Sequence, residues 1–407
     1  MIEIPRNLER FLYYERFVND GSPTGLTFRF SSSVPTSPLH CVDSYKLPFV
    51  SVSMRQIRTL GNEWQKAFLG PPGQALFPVH PDVVNHLAPD YLRQVVWQVQ
   101  SFRNAVPTAS PRTVFVFDDL QRPCCLKLDY PLILGRFPAD LSGEKVWIGP
   151  HISAYLTTIS SNHEVFFLPE IDAIETTVRK DGKRSGAVLR LLEIWSPGEP
   201  VDKDLILIPA FSLFGSDKLE PKNEPLLVLL LQCADNPTEK LLCMFIEPLL
   251  ESYWYLSLNH GLIPEAHAQN ILYAFDSIPS YPLVVWRDFQ GFYRDESRIP
   301  KMLARTEVGT YHLIPLEDAE YAKQRRSFLY DWILGHYLLD PLISTAQLSC
   351  GVNTSGVLAG IREFTRTALA GIEADYFPVN EWYSMSLERP QNGQYLSMIP
   401  NKNPKYR

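Results

Sequence analysis

The feature that most constrains this chain is the end of its longest helical pattern. Apolar side chains recur with helical spacing from Thr238 to Leu258, and the pattern stops at His260–Gly261. A glycine just past the last turn takes the left-handed conformation without strain, and Pro264 prevents an immediate restart. Glu265, His267 and Gln269 follow at intervals of two. On a helix they would diverge, whereas on extended backbone they share a face, so the spacing predicts an extended segment. Asn270 comes next, then an apolar run, a turn over Ser277–Tyr281, and a second apolar run, Leu283–Trp286. The second run closes on Arg287-Asp288-Phe289-Gln290-Gly291. The pattern predicts a β-hairpin with polar groups at the start of its first strand and an acid at the end of its second.

Kinase-like phosphate sites follow a comparable plan: an acidic residue, an Asn five residues on, and a metal-binding Asp ahead of Phe-x-Gly. Glu265, Asn270 and Asp288 occupy those places. The spacing therefore suggests a nucleotide and Mg²⁺ site, with oxygen ligands from these three residues.

A second polar cluster lies upstream. The loop Pro107–Arg112 leads into a predicted strand, Val114–Phe117. Asp118–Pro123 makes a turn, and Cys124–Leu128 pairs back as a hairpin. Ser110, Arg112 and Lys127 put one hydroxyl and two cations near a strand start, which suits a triphosphate. Arg offers a planar fork and Lys a point charge.

Composition limits the alternatives. With 407 residues, 45% of them hydrophobic, the chain can form two domains or one large two-lobed unit with a substantial core. A net charge of −7 argues against a general nucleic-acid binder. Cys41, Cys124, Cys125, Cys233, Cys243 and Cys350 show no metal-type spacing and are expected to be reduced, buried thiols. The polar N-terminus shows no signal peptide. The most apolar run, Leu226–Leu231, is far short of the ~20 residues needed to span a bilayer. A cytoplasmic protein without membrane partners is expected.

Elsewhere, Leu8–Val18, Arg55–Phe68, Tyr91–Phe102, Ala319–Leu339 and Gly360–Glu373 are expected as helices, with a strand left open at Tyr91–Phe102 by the β-branched Val95 and Val96, and Ala75–Val79 is expected as a strand. Val165–Leu168, Ala187–Ile194 and Leu205–Pro209 are expected as strands of one mixed sheet, with Lys180–Arg184 a solvated turn.

The string Glu265-Ala-His267-x-Gln269-Asn270 after a His-Gly, followed by Arg287-Asp-Phe-Gln-Gly291, resembles the siderophore synthetases that work independently of non-ribosomal peptide synthetases, the aerobactin-synthetase-like family. Ser110-x-Arg112-Thr113 with Lys127 resembles that family's ATP-phosphate motif. Phe77-Pro-Val-His80-Pro81 is similar to its Leu-Pro-x-His-Pro element. Gly149-Pro150-His151-Ile-Ser153 is similar to its Gly-Pro-x-Ile-Ser, expected here at the start of a helix, His151–Ile159. Other stretches depart from the family. The His-Pro-x-His motif is reduced to His40 and Lys46. Arg136 arrives early and lacks the preceding Thr-Ser. Trp382–Tyr383 stands where a substrate-contacting Lys is usual. By the resemblance, the family's N-terminal region is expected to be absent or greatly reduced.

The resemblance implies an α+β, hand-like fold. Residues 1–235 would form a fingers-like lobe with mixed sheet and the phosphate-binding hairpin. Residues 236–407 would form a mainly helical, kinase-like palm lobe. It implies ATP-dependent joining of a carboxylic acid to an amine or alcohol through an acyl adenylate, with ATP and Mg²⁺, small-molecule substrates and a homodimer. Arg112 and Lys127 would clamp the triphosphate with Ser110 and Thr113. Asp288, with Glu265 or Asn270, would hold the metal. Gln269 would bond the nucleotide, and His267 would contact the acyl adenylate or carboxylate. His80 and Arg136 would bind substrate. Two alternatives stay open: a small-molecule kinase, against which no Gly-rich phosphate loop is found, and a repurposed, non-catalytic binding relative.

Overall fold

The computed structural model describes residues 6–19, 43–97, 102–134, 137–159, 165–201, 204–278, 280–304, 309–385 and 398–407. Its largest element is an eight-stranded antiparallel sheet. The strand order is Ile57–Thr59, Glu170–Thr176, Ser185–Leu191, Pro123–Leu128, Thr113–Phe117, Phe102–Pro107, Tyr45–Ser53 and Gln74–Pro78. The expected hairpin at its centre forms with Thr113 opposite Lys127 and Phe117 opposite Pro123. Asp118 closes the turn, accepting from the Leu120 and Arg122 N–H groups and from Arg122 Nε at 2.8–2.9 Å.

A six-stranded sheet follows in the order Glu199–Pro200, Trp195–Ser196, Phe166–Phe167, Leu283–Trp286, Ile271–Phe275, Ile206–Pro209. Only the Phe166–Phe167 pairing with Leu283–Trp286 is parallel. This sheet draws strands from both sides of residue 235. The three strands expected in one mixed sheet therefore divide. Ser185–Leu191 joins the first sheet, and Phe166–Phe167 and Ile206–Pro209 the second.

Strand periodicity sets the two faces of the large sheet. Val114, Leu126, Leu128, Ala187 and Leu189 pack with Val50, Trp64 and Phe77. The alternate positions Phe115 and Cys125 pack with Leu207, Leu272 and Val285 of the second sheet and with Leu8, Phe11 and Leu12 of helix Arg6–Phe17. Thr113, Lys127 and Arg190 share the parity of Phe115 and Cys125, which sends these polar side chains toward the second sheet.

Several expectations are corrected. Arg55–Phe68 is not one helix. A 3₁₀ turn, Met54–Gln56, leads into the edge strand Ile57–Thr59, and only Glu63–Ala67 is helical. The buried Asp172 carboxylate decides this, because it takes the N–H groups of Leu60, Gly61 and Trp64 at 2.9–3.2 Å. The second helix is Pro89–Trp97, ending before Phe102, which begins a strand. The helix at Gly149-Pro150 begins earlier, at Glu144, and runs to Thr158, so Pro150 and His151 are interior. His151 Nδ1 contacts the Trp147 carbonyl at 2.9 Å and is not at a helix N-terminus. Cys124 and Cys125 are buried free thiols as expected, but Cys233 is exposed.

The long pattern before Gly261 is helical throughout, as Pro237–Leu241, a π-turn over Leu242–Ile246, and Glu247–Asn259. Pro248 has no N–H to offer the preceding turn, which accounts for the local widening. Gly261 has φ +60°, as a helix stop requires. The expected Ala319–Leu339 helix forms as Ala319–Ser327 and then a π-helix over Phe328–Leu339, which continues into helix Asp340–Cys350. The last long helix is Thr354–Ala368, six residues earlier at its start than the pattern suggested.

Among the described residues no helix is long and apolar enough to cross a membrane.

Candidate active site

The hairpin Ile271–Phe275/Leu283–Trp286 forms with Ile271 opposite Trp286. The segment before it is not extended. His267 N–H donates to the Glu265 carbonyl at 2.9 Å and Asn270 N–H to the His267 carbonyl at 2.9 Å, a tight turn. Asn270 Nδ2 also donates to the Glu265 carbonyl, at 3.0 Å. These local bonds outcompete strand pairing because short polar side chains can satisfy the main chain themselves. The turn is tied to the second strand's end by Arg287, whose N–H donates to the Asn270 carbonyl (3.1 Å) and whose Nε donates to the Gln269 carbonyl (2.7 Å).

Asp288 has φ +65°, a left-handed conformation uncommon for a non-glycine residue. It turns the carboxylate out of the strand, toward the large sheet. There it meets Lys127, which ion-pairs with Asp288 Oδ1, and Arg190, 3.6 Å from the same oxygen. Arg190 in turn donates to Glu170 at 2.6 Å. Gly291 closes the turn against the Glu265 side chain, whose Oε2 would have to shift for a Cβ, which would lie 2.8 Å from it.

Ser110, Arg112 and Thr113 line the start of the strand beside Lys127. Thr113 Oγ1 donates to Ser110 Oγ at 3.4 Å, the Thr113 N–H donates to the Ser110 carbonyl at 3.0 Å, and Arg112 donates to the Ala139 carbonyl at 2.8 Å. The two clusters separated by some 160 residues in the chain thus meet at the Lys127–Asp288 contact.

Burial and charge tune these groups. Burial opposes ionisation of Asp288, but Lys127, Arg190 and Arg112 outweigh it and hold its carboxyl well below the usual range. Burial pushes Lys127 down to about 8 against the pull of Asp288. Burial, then the charge of Asp288, pushes Glu265 up to about 7 against Lys127 and Arg325. Burial takes His267 down to about 4, so it is neutral near pH 7. Its Nδ1 accepts from the Gln269 N–H at 3.2 Å, which leaves the ring proton on Nε2.

In and beside this cluster Gln269 Oε1, Gln290 Oε1, Arg190 Nε, Arg287 Nη2 and Glu15 Oε2 are buried without a hydrogen-bond partner, as are polar atoms in other parts of the molecule. Buried polar atoms are normally paired, so orphans on neighbouring residues suit a site that takes a polar ligand.

His80 has a different setting. It is fully buried, and its Nδ1 accepts from the Asp82 N–H at 3.2 Å, capping the turn Pro81–His86. Its ring lies edge-on to Tyr130 at 4.9 Å and faces the Pro111 main chain. Burial lowers it to about 4. Lys46 donates to Asn104 on an exposed strand. Arg136 and His40 lie outside the described residues.

The structure also brings in residues that sequence reasoning missed. Arg190 and Glu170 complete the charge network around Asp288. The one available signal was Arg190, a charge inside an otherwise apolar strand, whereas Glu170 opens a strand that carries two further acids, Asp172 and Glu175. Beside Glu265, the His312 ring is stacked between Tyr293 (4.1 Å) and Tyr311 (4.0 Å), with Arg325 against Tyr293 at 5.5 Å. No local motif marks these rings.

No protein-family model and no curated sequence matches this chain. Solved structures do. The petrobactin biosynthesis protein AsbB from Bacillus anthracis str. Sterne superposes with a TM-score of 0.75 at 14% identity, over 97% of this chain and 74% of AsbB. The ATP-bound aerobactin synthetase IucA from a hypervirulent pathotype of Klebsiella pneumoniae gives 0.63 at 16% identity, over 89% of this chain and 70% of IucA. Aerobactin synthetase IucC from the same source gives 0.61 at 16% identity, over 82% of this chain and 65% of IucC. This chain therefore has the fold of the siderophore synthetases that work independently of non-ribosomal peptide synthetases, as its two motif clusters implied.

Proposed function

We propose that this protein is an ATP-dependent ligase that condenses a carboxylic acid, citrate-like or another polycarboxylate, with an amine or alcohol through an acyl adenylate, in the making of a siderophore or related metabolite. The observation that carries the reading is the meeting of Lys127 with Asp288, which joins a phosphate-type cluster to an acidic one at a single point. Fold likeness to an ATP-bound synthetase supports it. We keep the hand-like division into a fingers-like lobe (1–235) and a palm-like lobe (236–407), and the homodimer and cytoplasmic location, as parts of the same proposal.

Adenylation requires the carboxylate to lie in line with the α-phosphorus while the growing phosphate charge is neutralised. Such catalysis is mostly positioning and electrostatics. Arg112 and Lys127 neutralise the triphosphate, with Ser110 and Thr113 donating hydroxyl hydrogen bonds. Gln269 uses its unpaired Oε1 on the nucleotide. His267, neutral and protonated on Nε2, donates to the reacting carboxylate or the acyl adenylate. The carboxylate oxygen bonds to the α-phosphorus as the bond to pyrophosphate breaks. The amine or alcohol then attacks the acyl carbon and AMP leaves.

The donor set fits Mg²⁺. Asp288 and Glu265 are two carboxylates close enough to repel, and Mg²⁺ takes one or two carboxylates plus substrate phosphates. No group of three or more His, Cys, Asp or Glu suited to an all-protein cage occurs among the described residues. Bound there, the metal would supply charge neutralisation at the triphosphate. Asn270 spends its side-chain N–H on the Glu265 carbonyl, which holds the turn and leaves its amide oxygen as the atom that would serve the metal beside Asp288 and Glu265.

The test is a panel of carboxylates with ATP, Mg²⁺ and hydroxylamine as trapping nucleophile. Pyrophosphate and AMP are the expected products, ADP would indicate a kinase, and no turnover with any acid from folded protein would sink the proposal. Arg112→Ala is expected to lower kcat/KM for ATP at least about 100-fold, as for loss of one charge-stabilising donor.

A further inference from the structure

Helix Arg6–Phe17 bears one acidic residue that faces inward. Glu15 is 2% exposed, on a helix whose other buried positions, Leu8, Phe11 and Leu12, are apolar apart from Arg16. A buried carboxylate persists only where strong partners hold it. Arg287 Nη1 lies 2.9 Å from Glu15 Oε2, an ion pair without hydrogen-bond geometry at that oxygen, and the Ala109 main chain faces the same carboxylate.

The two partners belong to opposite walls of the site. Ala109 precedes Ser110 and Arg112 in the Pro107–Thr113 turn. Arg287 precedes Asp288, and through its Nε and N–H it also holds the carbonyls of Gln269 and Asn270. One carboxylate thus touches both the loop offered to the triphosphate and the turn that carries Asp288 and His267. Arg287 is itself only 6% exposed and has no other carboxylate within salt-bridge distance among the described residues.

We propose that Glu15 is a positioning residue that holds the two walls of the site in register. Its effect on turnover rests on the ligase reading, but its effect on the two walls does not. It sits outside the substrate-facing cluster and acts through Ala109 and Arg287. The alternative is that Glu15 merely anchors its own helix, which also packs through Tyr13 on Asp217 (2.5 Å) and through Ser212 on the Tyr14 carbonyl (3.0 Å).

Hydrogen–deuterium exchange on the full chain, without ligand, separates these. In Glu15→Gln, amide exchange is expected to rise about tenfold or more in both 107–113 and 265–291, with the exposed-site control Glu9→Gln unchanged in both. Where the ligase is active, KM for ATP should rise more than kcat falls. Acceleration confined to Arg6–Phe17, or in neither wall, would overturn the assignment. Glu15→Asp keeps the charge but shortens its reach. It is expected to raise exchange in both walls by a smaller factor, and it carries the test by the same criterion if Glu15→Gln does not fold. Absence of pyrophosphate release from the wild type would defeat the ligase reading and leave the exchange result to judge Glu15.

Discussion

The site's most consequential single group is Glu265, because its surroundings make ionisation expensive. Its carboxyl is raised to about 7 by burial and by Asp288, against roughly 4.5 unfolded. Between those values the folded state binds a proton that the unfolded state does not, so stability falls as pH rises from about 4.5 to 7 and then stays level. Glu265→Gln removes that dependence. It should match wild type near pH 4.5 and be more stable by on the order of 1–3 kcal/mol at pH 8, with ATP-dependent turnover lost. Denaturant unfolding at the two pH values checks it, and an equal gain at both would mean that Glu265 ionises normally. Stability is thus given up at one residue to keep a carboxyl where a cation or a proton could be taken.

Helix Glu144–Thr158 shows how an element can govern the site without entering it. It crosses the Glu170 strand at Gly149, where a Cβ would stand 1.8 Å from Glu170 Oε2 and 3.0 Å from its Cδ. Glu170 is 2% exposed and held by Arg190, which also lies against Asp288, so the carboxylate has little room to retreat. Gly149→Ala is expected to cost about 1–3 kcal/mol of stability by overpacking. It should also displace Arg190 and lower turnover with ATP. A thermal midpoint and rate equal to wild type would show that Glu170 moves freely. The Gly-Pro pair reads locally as a helix start. It is instead the point of closest approach between helix and sheet, a role that exists only once both elements are packed.

Across the whole molecule, the two sheets meet through an apolar seam of Phe115, Cys125, Leu272 and Val285, and the ion pair of Lys127 with Asp288 lies beside it. A nucleotide held by both sides binds only the folded chain. ATP with Mg²⁺ at about 100 times its Kd should therefore add about 2.7 kcal/mol to unfolding, read as a raised thermal midpoint, and Lys127→Met should abolish most of that gain. No shift with ATP would mean that this conformation is not a nucleotide site. Much of the site was legible in the chain, because strand alternation, the Gly261 stop and the turn chemistry at Ser277–Tyr281 and Asp118–Pro123 are local. They determined both hairpins and put Ser110, Arg112, Lys127, Glu265, His267 and Asp288 among the candidates. What depends on distant partners was not legible. The Asp172 carboxylate turns Arg55–Phe68 away from helix, and Asn270 folds Glu265–Gln269 into a turn where period-two spacing pointed to extended backbone. Only the tertiary structure brought Arg190 and Glu170 beside Asp288 and Glu15 beside Arg287, because the partner of a buried charge is set by packing and not by its neighbours in the chain.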